Sequence, residues 1–151
     1  FEASDTPTFP IVNGVSNGAT IYYAHEVGVN QLNGDGTTTA IPAFIKSGEF
    51  DLNGRQGVPG DGEFLLSVRR FMPDFKRISG NAQVTIFLNS FPQGSTAASS
   101  PLGPFTISSS TTKVDTRARA RLAAVQIECS AIDESWRYGT FRFDVKPDGR
   151  R

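Results

Sequence analysis

Polar and apolar residues alternate along much of the last forty residues of the chain. Between Thr112 and Ser130, arginines and alanines fall on opposite sets of alternate positions: Arg117, Arg119 and Arg121 on one set, Ala118 and Ala120 on the other. The two-residue repeat continues through 125–128 as Val-Gln-Ile-Glu. This is the pattern of a half-buried antiparallel strand, whereas a helix would space apolar residues three and four apart. The sequence therefore predicts one long strand from Thr112 to about Ser130.

Shorter patterned segments, separated by turn signals, predict six more strands. They are Ala19–Leu32, Thr37–Leu52, Glu63–Phe71, Ala82–Leu88, Phe105–Ile107 and Tyr138–Lys146. The run of apolar residues in Glu63–Phe71 indicates a central strand buried on both faces. Residues 33–36, Asn-Gly-Asp-Gly, predict a hairpin loop because Asn and Gly tolerate the positive φ of tight turns. A calcium loop is the weaker interpretation, because the further oxygen ligands and the terminal Glu are missing.

About seven such strands, with no convincing helix, predict an all-β fold: an antiparallel β-sandwich of jelly-roll or immunoglobulin-like type. A closed β-barrel is the main alternative. We expect residues 1–10 to form an extended amino-terminal arm, since Pro7 and Pro10 disfavour a helix. Residues 11–151 are predicted to form a single β-sandwich domain. Because the sequence starts at Phe1 rather than Met, we expect this domain to be the carboxy-terminal part of a longer chain.

The balance of charges gives no reason to expect nucleic acid or a membrane as a partner. Fifteen basic and fifteen acidic side chains cancel, so no net field attracts nucleic acid or a membrane. No apolar run approaches the roughly 18 residues of a membrane span. We therefore expect no membrane partner and no direct contact with nucleic acid.

The residues that most often carry chemistry are scarce. His25 is the single histidine and Cys129 the single cysteine. They lie far apart in the sequence, which leaves too few soft ligands for a zinc site and no internal disulfide. We expect Cys129 to be an inert, partly buried thiol, since free cysteine behaves as a small hydrophobe. The sequence thus predicts no enzymatic activity, no cofactor and no bound metal.

The three alternating arginines admit three interpretations. In the first, the arginines form a solvated face that prevents further strands from pairing with the edge of the sheet. An ion-pair ladder within the chain or between subunits is the second, because the planar guanidinium suits protein carboxylates. Nucleic-acid binding is the third and weakest, since no aromatic residues interleave with the arginines. Arg117, Arg119 and Arg121, together with Arg137, are therefore the candidate interface residues.

Aromatic residues offer a different candidate site. A carbohydrate-binding module would place exposed rings on a sheet face or at loop tips, and four residues could supply them: Tyr22, Tyr23, Trp136 and Tyr138. The structural interpretation of Trp136 is stronger, because a Trp at a strand entrance usually seals one end of a sandwich core.

Three segments near the end of the chain resemble known proteins. They are T-K-V-D-T-R-A-R-A-R at 112–121, E-S-W-R-Y-G-T at 134–140 and F-R-F-D-V-K-P-D-G-R-R at 141–151. They look like the carboxy-terminal end of virion structural proteins of short-tailed bacteriophages, described as tail, neck or packaged-DNA-stabilisation components. The upstream P-A-F-I-K-S-G-E-F-D-L and R-R-F-M-P-D-F segments fit the same picture, so the resemblance spans roughly residues 40–151.

The resemblance implies a virion structural module without catalytic residues. It also implies that six positions belong to a shared scaffold: Arg117, Arg119, Arg121, Trp136, Arg137 and Gly139. Family members are much longer, so this chain resembles their terminal domain alone. We expect a symmetric oligomer in the particle that docks onto tail, neck or portal-region proteins and occupies the host cytoplasm during assembly. A carbohydrate- or receptor-binding module is the alternative, and an enzyme such as a depolymerase ranks third.

Overall fold

The computed structural model describes residues 11–16, 19–24, 28–52, 64–90 and 100–150, with side chains for 28–52, 64–90 and 101–149. Within these ranges all regular structure is β-strand, in thirteen segments: β1 (Ile11–Ser16), β2 (Ala19–Ala24), β3 (Asn30–Leu32), β4 (Thr38–Ala40), β5 (Ala43–Lys46), β6 (Phe64–Met72), β7 (Phe75–Ser79), β8 (Ala82–Asn89), β9 (Ser100–Ile107), β10 (Val114–Ala120), β11 (Leu122–Cys129), β12 (Ser135–Tyr138) and β13 (Arg142–Arg150). The predicted arm at 1–10, His25 and the glycine-rich loop at 54–62 lie outside the described residues.

The strands form an antiparallel β-sandwich, as the sequence predicts. One sheet has the order β10-β6-β13 and the other the order β5-β11-β8-β9. Three two-stranded ribbons accompany them: β1-β2, β3-β4 and β12-β7. Every pairing between these strands is antiparallel. Among the described residues no sheet closes into a barrel, so the sandwich, and not the alternative, is correct.

A single hydrophobic core joins the two larger sheets. β6 contributes Leu66, Val68 and Phe71, while β8 contributes Val84 and Ile86, all without accessible surface. Buried and half-buried positions alternate along the first half of β8, which confirms the two-residue pattern predicted for 82–88. The alternation arises because successive side chains of a strand point to opposite faces of its sheet.

The long strand predicted from Thr112 to Ser130 is wrong in one respect. It divides at Arg121 into β10 and β11, which belong to different sheets. The buried positions change across the division: they are even at Ala118 and Ala120 on β10, include every residue from Leu122 to Val125, and are odd at Ile127 and Cys129 on β11. This switch from even to odd positions is the mark of a chain that turns a corner of the sandwich.

Other predicted strands also differ from the observed ones. Interruptions divide Ala19–Leu32, Thr37–Leu52 and Tyr138–Lys146. β6 is central in its sheet, as predicted, but it is not buried on both faces, because Ser67 is half-buried and Arg69 is exposed. The last strand extends beyond the predicted end at Lys146, to Arg150, through an irregularity in its pairing.

The hairpin predicted at residues 33–36 is confirmed. It joins β3 to β4, and Asn30 pairs with Ala40. Thr37 closes the loop by donating to one Asp35 carboxylate oxygen from its backbone N–H at 2.9 Å and from its hydroxyl at 2.6 Å. These hydrogen bonds stabilise the charged carboxylate and hold the pKa of Asp35 below its ordinary value.

Candidate protein-interaction surfaces

Six large apolar side chains are exposed among the described residues, and we refer to them together as the apolar edge surface: Val29, Leu32, Ile41, Phe44, Ile45 and Ile132. Five of them lie within residues 29–45, on β3, on β5 and in the segments beside these strands. The sixth, Ile132, joins them through the corner after β11: the Asn30 side chain donates to Asp133 at 2.6 Å and accepts from the Asp133 N–H at 2.9 Å. The pairing of Ala43 with Cys129 brings the start of β5 to the same end of the sheet.

β5 is the outer strand of the four-stranded sheet and pairs with β11 alone among the described strands. The Ser47 N–H donates to the Val125 carbonyl at 2.8 Å, and antiparallel neighbours exchange backbone bonds at alternate residues. The N–H and C=O groups of Phe44 and Lys46 therefore point away from β11, where a further strand could pair with them. Phe44 is also the most exposed of the six apolar residues, at 71%.

A second surface, which we term the basic hollow, lies on the three-stranded sheet. It encloses about 500 Å³ and is lined by Ser67, Val68, Arg69, Thr116, Arg117, Ala118, Arg119 and Asp148. Val68 and Ala118 also belong to the core, so their side chains lie on the opposite face of the sheet from the arginines that line the hollow. Arg117 and Arg119 are exposed there on one face of β10, which confirms the alternation predicted for them.

Three irregularities of the sheet surround the basic hollow. Between its pairings with β13, β6 carries one extra residue, Arg69. Opposite Arg69, β10 places two residues, Thr116 and Arg117, where β6 has one. β13 likewise places two residues, 148 and 149, opposite one residue of β6. Gly149 there has a positive φ of 95°, which other residues rarely adopt. Such bulges re-aim side chains, and here they bring residues of all three strands around one depression.

Arg119 spans the sheet to reach Asp148. Its Nε lies 2.7 Å from a carboxylate oxygen of Asp148, and its Nη2 donates to the Asp148 carbonyl at 2.7 Å. Ser67, which pairs with Arg119 on β6, is small enough to let the long side chain cross. Of the three alternating arginines, Arg119 thus forms an ion pair within the chain.

The remaining candidate arginines lie elsewhere. Arg121 occupies the corner between β10 and β11, where its backbone N–H donates to the Asn89 carbonyl at 3.0 Å. Arg137 is exposed in another sheet, opposite Arg77. The four predicted interface arginines therefore do not form one surface; the basic hollow combines Arg117 and Arg119 with Arg69, which the sequence pattern did not single out.

The candidate glycan-stacking residues divide into two pairs. Tyr22 and Tyr23 lie on β2, and their side chains fall outside the described part of the chain. Trp136 and Tyr138 are half-buried against the core. Phe75 packs edge-on to both, with ring centroids 6.4 Å from Trp136 and 6.2 Å from Tyr138. Trp136 thus has the core-sealing position that the structural interpretation gives it.

Burial raises the pKa of Tyr138 above its ordinary value of 10.0. As the pH rises, the unfolded chain therefore loses the Tyr138 proton at a lower pH than the folded protein does. The contribution of the protonated side chain to the stability of the fold declines accordingly above about pH 10. We expect the urea midpoint to fall between about pH 9 and pH 11 by less in Tyr138→Phe than in the unmodified protein. Equal falls would show that Tyr138 does not contribute to the alkaline loss of stability.

Cys129 is buried, as predicted, and its Sγ lies 3.9 Å from the Glu134 carbonyl oxygen. Across the ranges that the structure describes, no three His, Cys, Asp or Glu side chains are grouped as metal ligands would be. In the same ranges, no helix has the length and apolar character needed to cross a membrane.

Comparison with known proteins gives no functional assignment for the chain. No protein-family model matches the chain, and no curated protein sequence matches it. The resemblance to phage virion proteins therefore remains a prediction, and the apolar edge surface and the basic hollow are the features from which a function can be argued.

Proposed function

We propose that the chain is a non-enzymatic structural protein of a tailed-bacteriophage virion. In this proposal it is a tail or neck component that docks onto neighbouring tail or portal-region subunits, as a symmetric homo-oligomer in the particle, after assembly in the host cytoplasm. Two lines of reasoning support it: the resemblance of residues 40–151, and the presence of an exposed apolar surface on a sheet edge.

Phe44 is the observation that carries the proposal. Proteins that remain monomeric usually blunt their sheet edges with prolines, charges or covering loops. β5 has Pro42 before it and Lys46 at its end, yet Phe44 between them is 71% exposed. The Lys46 ammonium lies 3.9 Å from the centre of the Phe87 ring, so this charge is held over the sheet face.

A strand of a neighbouring subunit laid along β5 would provide hydrogen-bond partners for the backbone at this edge and would cover the exposed Phe44 ring. It would pair with the outward backbone groups of Phe44 and Lys46, each hydrogen bond contributing about 0.5–1.5 kcal/mol. Burial of the Phe44 ring would add roughly 1.5–3 kcal/mol when complete. The other apolar edge residues would lie at the borders of the same contact.

Phe44→Lys is expected to exclude the protein from virus particles. Lysine on an edge strand opposes pairing, and at this position it faces Glu128 on β11, so the fold itself gains an opposite-charge pair. We expect incorporation to fall about tenfold or more, since a loss of 1.4 kcal/mol already weakens association tenfold. Quantitative mass spectrometry of purified particles from the parent phage, with the variant supplied during assembly, measures this.

Phe44→Leu is the matched control, because it retains an apolar side chain at the same position. It should be incorporated nearly as well as the unmodified protein, and urea denaturation should show that both variants fold. Absence of the unmodified protein from particles would refute the proposed function. Equal incorporation of Phe44→Lys would show that docking does not use this edge.

A further inference from the structure

We infer that the basic hollow binds carboxylates of an acidic, extended segment of a neighbouring protein subunit. This inference rests on the proposed function and adds to it the chemistry of a partner. It concerns a surface separate from the apolar edge, since the hollow belongs to the β10-β6-β13 sheet and β5 to the other.

The hollow holds more positive charge than the described residues neutralise. It contains three arginines and one carboxylate, Asp148. Asp148 pairs with Arg119, whereas no described acidic residue lies within ion-pair distance of Arg69 or Arg117. Lys146 adds a further exposed charge, because it lies opposite Ser67, one of the lining residues, on β13.

The neighbouring ion pairs show that this surplus is local. One strand position away, Arg70 lies between two carboxylates, with its Nε 3.7 Å from Asp115 and 3.4 Å from Asp144. Lys113 also reaches Asp115, at 3.2 Å. Positive charge is therefore matched by carboxylates beside the hollow, whereas within it only Arg119 is matched.

Asp148 indicates which ligand suits the hollow. Arg119 binds the carboxylate of Asp148 through Nε and its backbone carbonyl through Nη2. One guanidinium therefore holds both the side chain and the main chain of an acidic residue, as its planar set of donors allows. An acidic residue of a partner can meet Arg117 or Arg69 in the same way.

The spacing of the arginines suits an extended segment. Arg117 and Arg119 stand two residues apart on one strand, a step of about 6–7 Å. Acidic residues at alternate positions of an extended partner have the same repeat. β10 is an outer strand, paired with β6 alone among the described strands, and a segment of a partner could pair with its other side. Opposite charges facing each other across paired strands stabilise the pairing.

A protein segment fits the hollow better than nucleic acid does. Proteins that bind single strands stack bases on aromatic rings, and the residues that line the hollow include none. The net charge of zero also gives no long-range attraction toward a polyanion. Nucleic acid and free phosphate are nevertheless the competing anions that an experiment has to compare.

The test measures binding of a short, end-blocked peptide of alternating Glu and Thr to the full chain, by fluorescence anisotropy at low salt. We expect the peptide to bind at least about tenfold more tightly than its Gln-Thr counterpart and to weaken as salt screens the charges. Arg69→Gln combined with Arg117→Gln should weaken it by a similar factor. Lys76→Gln combined with Arg77→Gln removes two positive charges from β7, outside the hollow, and should leave binding unchanged.

Three results would overturn the inference: equal binding of the Glu and Gln peptides, unaltered binding by the Arg69 and Arg117 double variant, or tighter binding of inorganic phosphate or a DNA oligonucleotide at equal charge concentration. Circular dichroism of both double variants separates loss of binding from loss of folding. If the peptide fails while incorporation into particles still depends on Phe44, the proposed function stands and the ligand of the hollow is wrong. If the protein is absent from particles, the proposed function fails whatever the peptide does.

Discussion

Phe71→Ala is expected to lower the free energy of unfolding by about 3–5 kcal/mol. Phe71 has no accessible surface and lies on β6, the middle strand of its sheet. Three further aromatic rings surround it, with centroid distances of 5.5 Å to Phe105, 5.1 Å to Phe141 and 6.4 Å to Phe143. The truncation removes these contacts and leaves a cavity that the two sheets cannot fully close. Because a domain has only about 5–15 kcal/mol of stability, much of it would be lost.

Urea denaturation followed by the fluorescence of the single Trp136 measures this effect. Phe44→Ala is the matched control, because it makes the same chemical change at an exposed residue and should alter stability by no more than about 0.5 kcal/mol. Similar losses in the two variants would show that Phe71 is not part of the packed core.

Gly103→Ala is expected to cost about 2–6 kcal/mol, for two separate reasons. Gly103 has φ of 113°, and a side chain in such a region costs about 1–3 kcal/mol. A Cβ there would also lie 2.8 Å from the Val84 carbonyl oxygen and 3.0 Å from the Phe105 nitrogen, and crowding of this kind adds about 1–3 kcal/mol. Both arise from the bulge in which two β9 residues, Gly103 and Pro104, oppose one β8 residue.

Gly48→Ala provides the comparison for Gly103→Ala. A Cβ at Gly48 would meet nothing within 4 Å, and its φ lies outside the positive range. Alanine should therefore be neutral there or stabilising by up to about 1 kcal/mol, since it reduces the freedom of the unfolded chain. Thermal unfolding of the two variants gives the difference directly, and equal melting temperatures would contradict the account of Gly103.

The fold class was predictable because its signal is local. Alternation through 82–88 and the turn residues at 33–36 depend on neighbours in the sequence, and both features are present as predicted. The corner at Arg121 was also encoded locally: the apolar positions change from even at Ala118 and Ala120, through the apolar run Leu122 to Val125, to odd at Ile127. That change of parity indicates two strands with different buried faces, not one continuous strand.

The basic hollow could not be predicted, because it depends on pairing between distant strands. No local pattern in the sequence distinguishes Arg69. It is the extra residue of a bulge in the pairing of β6 with β13, which begins more than seventy positions later. Asp148, which reaches Arg119, lies in the bulge that β13 makes at 148–149. The exposure of Phe44 could not be predicted for a related reason: it depends on the pairing of β5 with β11, more than seventy positions later, which places Phe44 opposite Glu128.

The corner at Arg121 also has a consequence for how the protein unfolds. β10 ends at Ala120 and β11 begins at Leu122, so a single residue carries the chain from one layer of the sandwich to the other. With no slack between them, neither layer can separate without pulling apart the strand pairs of its neighbour. The two layers are thereby tied into one cooperative unit, which gains and loses its structure together.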